Sequence, residues 1–262
     1  MSDGKATPST VIATSTTDQI VVRGRDLVGD LLGKVDFTTM ICIHLNGGRN
    51  PSPGEVAVVN SVLVALMEHG LTPSSITARL IYDSSPDAIQ GAVAAGLLGA
   101  GSQFLGSTED AARLLQDGVA AIEAGVDLEG YAAELARGFV AERSPVPGFG
   151  HHIHRPDDPR APRLLEIARE NEVGGLHAEL LMALSRKLDE AKGKHITINA
   201  TGAVAAVLSD VGYPWNSLRG FSLIARSAGL IGHILEEGER PTARFLWEMS
   251  EREIPYEGAW PE

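Results

Sequence analysis

The stretch from Val146 to Arg160 reads VPGFGHHIHRPDDPR and concentrates side chains that can do chemistry. His151, His152 and His154 fall within four positions, followed by Asp157, Asp158 and Arg160. Three readings are open for such a set. A metal centre would need convergent ligands, but no two of these histidines have the i, i+4 spacing that puts them on one helical face. Pro145, Pro147, Pro156 and Pro159 also oppose a helix, so no metal is expected. A solvent-facing polar loop is the second reading, because loops collect such residues. The third is catalytic. Histidine is the side chain most readily poised for proton transfer near neutral pH, and a nearby arginine can clamp a carboxylate with two parallel hydrogen bonds.

The elements that must position this loop read as helices. Asp26 is a plausible N-cap after a short β-like run near Ile20 to Arg23. Asp36 opens DFTTMICIHLNGG, which Gly47 and Gly48 close. Ser52 and Glu55 have the spacing of a capping box ahead of a long apolar helix, with Gly70 after it. SPDAIQGAVAAGLLGAG is apolar on most faces and predicts a buried helix. Two amphipathic helices precede the proline-rich loop, and four more segments with helical apolar spacing follow it. The fold class expected is all-α. Residues 1–18 read as a flexible tail, and about 145–205 as a possible small subdomain within one unit spanning 19–262.

The totals narrow the classes. At 262 residues, 44% hydrophobic and 21% charged, the composition is that of a soluble globular protein. A net charge of −12 argues against a nucleic-acid partner held by general electrostatics. The apolar run Ala92 to Gly101 is too short to span a bilayer, so no membrane partner is expected. Cys42 is the single cysteine, which excludes an intramolecular disulfide and suits a reducing, cytoplasmic setting. No Gly-x-x-x-x-Gly-Lys motif appears, so ATP use is not supported.

Taken in order along the chain, several segments resemble the citrate synthase superfamily. Pro147-Gly148-Phe149-Gly150-His151, with Asp158-Pro159-Arg160 seven residues on, is similar to its active-site segment. VVRGRDL, FTTMICIHLNGGRNPSPGE, MEHG, TARLI, IARSAGLIGH and ERP resemble further family segments, from about Ile20 to Arg244. The short length is similar to that of citryl-CoA lyases and of the citryl-CoA lyase module of ATP-citrate lyase. The resemblance implies a citrate synthase-like helical fold with a large and a small part, and a homodimer with shared sites. It also implies a coenzyme A thioester as substrate. By the same token His151 is the catalytic histidine, taking the hydroxyl proton in a retro-aldol cleavage. His69, Asn199, Arg160, Arg226 and Arg240 bind substrate, Arg240 reaching the neighbouring subunit. Val146, Pro147, Gly148, Phe149 and Gly150 cradle CoA with backbone groups, and Lys194 meets its phosphate.

Two positions depart from the family pattern. Phe104 stands where citrate synthases carry a histidine that helps form the enol of acetyl-CoA; the lyase module resembles this chain in having an aromatic residue there. Thr201, in Asn199-Ala200-Thr201-Gly202, stands where the family has a proton-shuttling aspartate. A threonine hydroxyl exchanges hydrogen bonds but is a poor base. The function expected is therefore carbon–carbon cleavage of citryl-CoA or a related 3-hydroxyacyl-CoA at a diverged site. Bound water, His152 or His154 are candidates for protonating the enolate. A condensing enzyme and a non-catalytic CoA-thioester-binding relative are the alternatives. His233 reads as a packed or interface histidine and His44 as a core one.

Overall fold

The computed structural model describes residues 8–105, 107–151 and 153–261, and the side chains of 102–105 stand outside that description. The chain opens with a small antiparallel sheet of β1 (Ala13–Ser15), β2 (Ile20–Val22) and β3 (Arg25–Asp26). Val21 sits opposite both Thr14 and Asp26. The tail expected through residue 18 is thus in a strand from Ala13, paired by backbone hydrogen bonds that its polar side chains do not signal. Asp26 then caps a five-residue π-helical turn, Leu27–Leu31, by accepting from the N–H groups of Val28 and Gly29.

The rest is helical, as the apolar spacing predicts. Helix α1 (Phe37–Leu45) starts at the Asp36 cap, whose carboxylate accepts from Thr39 N at 2.9 Å. Helix α2 (Pro53–Met67) has the full capping box of Ser52 and Glu55. Helices α3 (Pro73–Ser84), α4 (Ile89–Leu105), α5 (Ser107–Glu123) and α6 (Leu128–Glu142) follow. Beyond the histidine loop come α7 (Arg160–Glu170), α8 (Leu176–Lys192), α9 (Ala200–Val211), α10 (Leu218–Glu239) and α11 (Ala243–Glu253). No helix among the described residues is long and apolar enough to cross a membrane.

Helix α9 is the hub. Its run of alanine, glycine and valine is buried on almost every face and packs against α2, α5, α7 and α8. Small side chains allow these neighbours to approach closely, while Val204, Val207 and Leu208 fill the space between them. The main core also takes in Val58, Val62, Leu115, Leu164, Leu180, Leu184 and Phe221. Residues from 145–205 therefore share one core with helices from both ends of the chain, and the small subdomain expected there has no separate core among the described residues. A second, smaller core does exist, where Ala78, Ala92, Leu230 and Ile234 join α3, α4 and α10.

Helix α4 corrects another expectation. Ala92 and Ala100 are buried, but Leu98 is 82% exposed and Ile89 45%, so the helix is covered on one side rather than all round. Gly96 serves the covered side: a Cβ there would fall 2.8 Å from a Leu230 methyl.

Candidate active site

The histidine loop is fastened to the N-terminus of α9. Gly148 (φ +85°) and Gly150 (φ +81°) have backbone conformations that side-chain-bearing residues rarely adopt. Gly148 also lies so close to Gly202 that a Cβ on Gly202 would come 2.5 Å from the Gly148 carbonyl oxygen. Asn199 holds the two together. Its backbone N–H donates to Gly148 O at 3.1 Å, its Nδ2 donates to Gly150 O at 2.9 Å, and its Oδ1 caps α9 through Gly202 N at 3.1 Å. Gly150 N donates to Thr197 O at 2.7 Å. Asn199, expected as a substrate ligand, is thus the joint between the loop carrying His151 and the turn carrying Thr201. Thr201 is half-buried in the first turn of α9.

His151 is half-buried, and its Nδ1 accepts from the backbone N–H groups of Ile153 (3.1 Å) and His154 (2.9 Å). A ring nitrogen that accepts two N–H donors carries the lone pair, so the hydrogen of the neutral ring sits on Nε2. This tautomer offers Nε2 as a donor; the expected uptake of a hydroxyl proton would use a lone pair there. The half-buried His154 packs beside it, ring centroids 4.4 Å apart. His152 lies outside the described residues.

A second group converges from three other elements. Asp158 is fully buried, and its carboxylate binds Arg160 in bidentate fashion, Nε to Oδ1 at 3.0 Å and NH2 to Oδ2 at 2.8 Å. The same carboxylate accepts from Ala200 N at 2.9 Å. It therefore pins the start of α7 to the start of α9. Burial opposes its ionisation, but the hydrogen bonds from Arg160 and Ala200 outweigh this and bring Asp158 down to about 2. Arg160 then extends NH1 to within 2.8 Å of His69 Nε2, on the turn after α2. Arg226, buried on α10, reaches the other ring nitrogen of His69 through NH2. Desolvation of the ring, then the guanidiniums of Arg226 and Arg160, push His69 down to about 4, although the residue stays open to solvent on one side.

This arrangement has a chemical consequence. A neutral imidazole has one N–H and one lone pair, and guanidinium is donor only. With an arginine at each ring nitrogen, one of them meets an N–H. The cluster therefore has donors and positive charge in excess, and its complement is an anion with several oxygens.

Other expected site residues stand apart. Arg240 caps the C-terminus of α10, exposed, and its side chain makes no hydrogen bond or ion pair among the described residues. It does not join His69, Arg160 and Arg226. Lys194 is exposed beyond α8. The side chain of Phe104 lies outside the described residues. In the expected CoA cradle, Val146 is buried, Pro147 has no N–H, and the N–H groups of Phe149 and Gly150 are taken by Val146 O and Thr197 O. Two of the backbone N–H groups in the expected cradle are therefore engaged within the protein.

Sequence reasoning gave no role to Asp158 beyond the motif, nor to Glu68. Glu68 Oε1 accepts from the N–H groups of His69 (2.8 Å) and Gly70 (2.7 Å) and meets His233 Nε2 at 2.9 Å. His233, expected as a packed or interface residue, is in a polar network instead. His44 is half-buried, and its carbonyl accepts from Arg23. His195 ties Asp189 on α8 to Asp157 in the loop, at 2.7 and 2.8 Å.

The comparisons with known proteins agree with this framework. Residues 14–245 match the family model described as citrate synthase, C-terminal domain. The chain is similar to a citryl-CoA lyase from Hydrogenobacter thermophilus at 32% identity, covering 97% of this chain and 96% of that one with a TM-score of 0.85. It also resembles an ATP citrate lyase from Methanosaeta concilii solved with (3S)-citryl-CoA, at 22% identity and a TM-score of 0.76, over 98% of this chain and 42% of that one. A putative citrate synthase 2 of Mycobacterium tuberculosis is 30% identical over 206 residues, 75% of this chain and 52% of the relative, so the chain spans about half that relative's length. Its fold, its motif order and a family match over most of its length place the chain in the citrate synthase family.

Proposed function

We propose that this protein is a carbon–carbon lyase that cleaves citryl-CoA or a related 3-hydroxyacyl-CoA into a 2-oxo acid and an acyl-CoA. The observation that carries this reading is the cluster of Arg160, Arg226 and His69, whose surplus donors suit the carboxylates of a citryl-type group. The likeness to a citryl-CoA lyase over nearly the whole of both chains supports it. In the cleavage, the bond between the hydroxyl-bearing carbon and the thioester α-carbon breaks. The hydroxyl oxygen becomes a carbonyl oxygen and gives its proton to water. The electron pair passes to the thioester enolate, which takes a proton at carbon, so the proton count is unchanged overall. His151 donates from Nε2 to the oxygen and stabilises the charge that builds there. Thr201 offers the enolate a hydrogen bond but no acidic proton, which is why we place citryl-CoA turnover on the slow side and leave room for a different acyl group.

Coenzyme A is the thioester carrier in this reading. A homodimer accompanies it in this reading: α3, α4 and α10, packed on one another, expose Leu80, Ile81, Leu98, Ile231 and Leu235, and the exposed Arg240 would serve the neighbouring site of such a pair. Light scattering at micromolar protein is expected to report a dimer. The function itself is tested by incubating the protein with citryl-CoA and other 3-hydroxyacyl-CoA thioesters. Release of a 2-oxo acid with matching acyl-CoA is the expected result. Binding of CoA thioesters without cleavage of any of them would favour a non-catalytic binding protein.

A further inference from the structure

One face of α10 carries Arg226, Gly229, His233 and Glu237, spaced three or four residues apart. The first three meet the segment that presents His69. Arg226 touches the His69 ring. Gly229 lets the helix lie directly on the end of α2; a Cβ there would come 2.2 Å from Met67 O. His233 lies between two charged partners. Arg79 on α3, almost fully buried, donates to His233 Nδ1 from Nε at 3.0 Å and from NH2 at 2.8 Å. Because arginine only donates, Nδ1 must hold the lone pair and Nε2 the hydrogen, which points at Glu68 Oε1 2.9 Å away. Glu68 in turn holds the N–H groups of His69 and Gly70.

Arg79 is itself fixed from behind. Its NH1 donates to Glu237 at 2.8 Å, a pair whose side chains are each only 2% exposed, and it also pairs with Glu236. Glu237 accepts from Thr242 N and Ala243 N, both at 2.7 Å, at the start of α11. A path of hydrogen bonds thus runs from the start of α11, through Glu237, Arg79, His233 and Glu68, to the backbone of His69. Each named donor on it meets an acceptor, and the Arg79–Glu237 pair within it is buried.

We propose that His233 is a positioning residue for the anion site: locked by Arg79 as an Nε2–H donor, it holds Glu68 and so fixes the turn that aims His69 between Arg160 and Arg226. This rests on the reading of that cluster as the substrate-carboxylate site. It concerns orientation only, since His233 lies one side chain removed from the His69 ring.

The test compares His233→Leu, which fills the space without polar atoms, with His233→Gln, whose amide can accept from Arg79 and donate to Glu68. Calorimetry with oxaloacetate reports the anion site, and calorimetry with CoA the rest of the site. His233→Leu is expected to weaken oxaloacetate about tenfold, the size of one lost hydrogen bond to a charged group, with CoA affinity unchanged. His233→Gln is expected to stay within about threefold of the wild type. Should His233→Leu not fold, Glu68→Ala, at a half-exposed side chain, carries the same expectation. Equal oxaloacetate affinity in wild type and His233→Leu would overturn this proposal alone. Parallel loss of oxaloacetate and CoA affinity, unrelieved in His233→Gln, would make the role one of general structure and also overturn it. Wild type that binds CoA thioesters but neither oxaloacetate nor citrate would overturn the reading of the anion site, and this proposal with it.

Discussion

The two sides of the candidate site are built differently. The anion side is a set of groups from three elements: Asp158 orients Arg160, Glu68 orients the turn of His69, and α10 supplies Arg226 from a buried position. The side where carbon must be protonated rests on Thr201 and on the loop that Asn199 ties to α9, and the position of the family aspartate holds only a hydroxyl. Recognition chemistry is heavily specified and proton supply is sparse. Under the proposed function, this contrast would set recognition of a carboxylate-bearing acyl group apart from the proton step.

Perturbing each side should separate these roles. The largest effect is expected from His151→Ala. Loss of a donor at the oxygen where charge builds should cut kcat by about 10²–10³ with CoA affinity nearly unchanged, as read by steady-state kinetics and calorimetry. An equal loss in both would make His151 a structural part of the loop. Next comes Arg226→Ala, which should raise KM for a citryl-type thioester by about 10–100-fold, because a charge-assisted hydrogen bond to carboxylate is removed. The same variant should let the His69 ring titrate closer to its ordinary value, upward from about 4, in an NMR titration of the imidazole protons.

The smallest effect concerns pH and stability. Asp158 titrates at about 2 in the fold, below the ordinary value near 3.8, so its contribution is fully present above pH 3.8 and is lost as pH falls toward 2. At full ionisation this amounts to about 2 kcal/mol. His69 acts in a higher window. The unfolded chain takes up its proton near pH 6.5 and the folded one only near 4, so stability falls as pH drops through that range. Chemical denaturation of wild type and Asp158→Asn at pH 7 and pH 3 checks the first term: the gap between them should narrow at the lower pH.

Much of the fold is legible in local sequence. Asp26, Asp36 and the Ser52–Glu55 box do as caps what their spacing predicts, because a cap needs only residues within one turn. Helices α3 and α11 carry weaker signals, with polar residues spread among the apolar ones, and the docking of α3 on α10 and of α11 on α3 makes them clear. The exposure of Leu98 contradicts the buried helix expected from composition, since apolar content does not say which faces find a partner. In the site, the family resemblance brings out His69, Arg160 and Arg226, which do converge. It misses Asp158 as an anchor and the Arg79–His233–Glu68 path, in which His233 lies more than 150 residues from both partners and meets them only through packing.

The central claim is that Thr201 limits citryl-CoA chemistry by depriving the enolate of an acidic proton. The most direct test is the rate at which wild type and Thr201→Asp release oxaloacetate and acetyl-CoA from citryl-CoA under saturating substrate. The account predicts slow release by wild type and a rise of at least about tenfold in Thr201→Asp, within the range typical of general acid catalysis. Fast release by wild type, with no gain in the variant, would show that another group supplies the proton and would contradict the account.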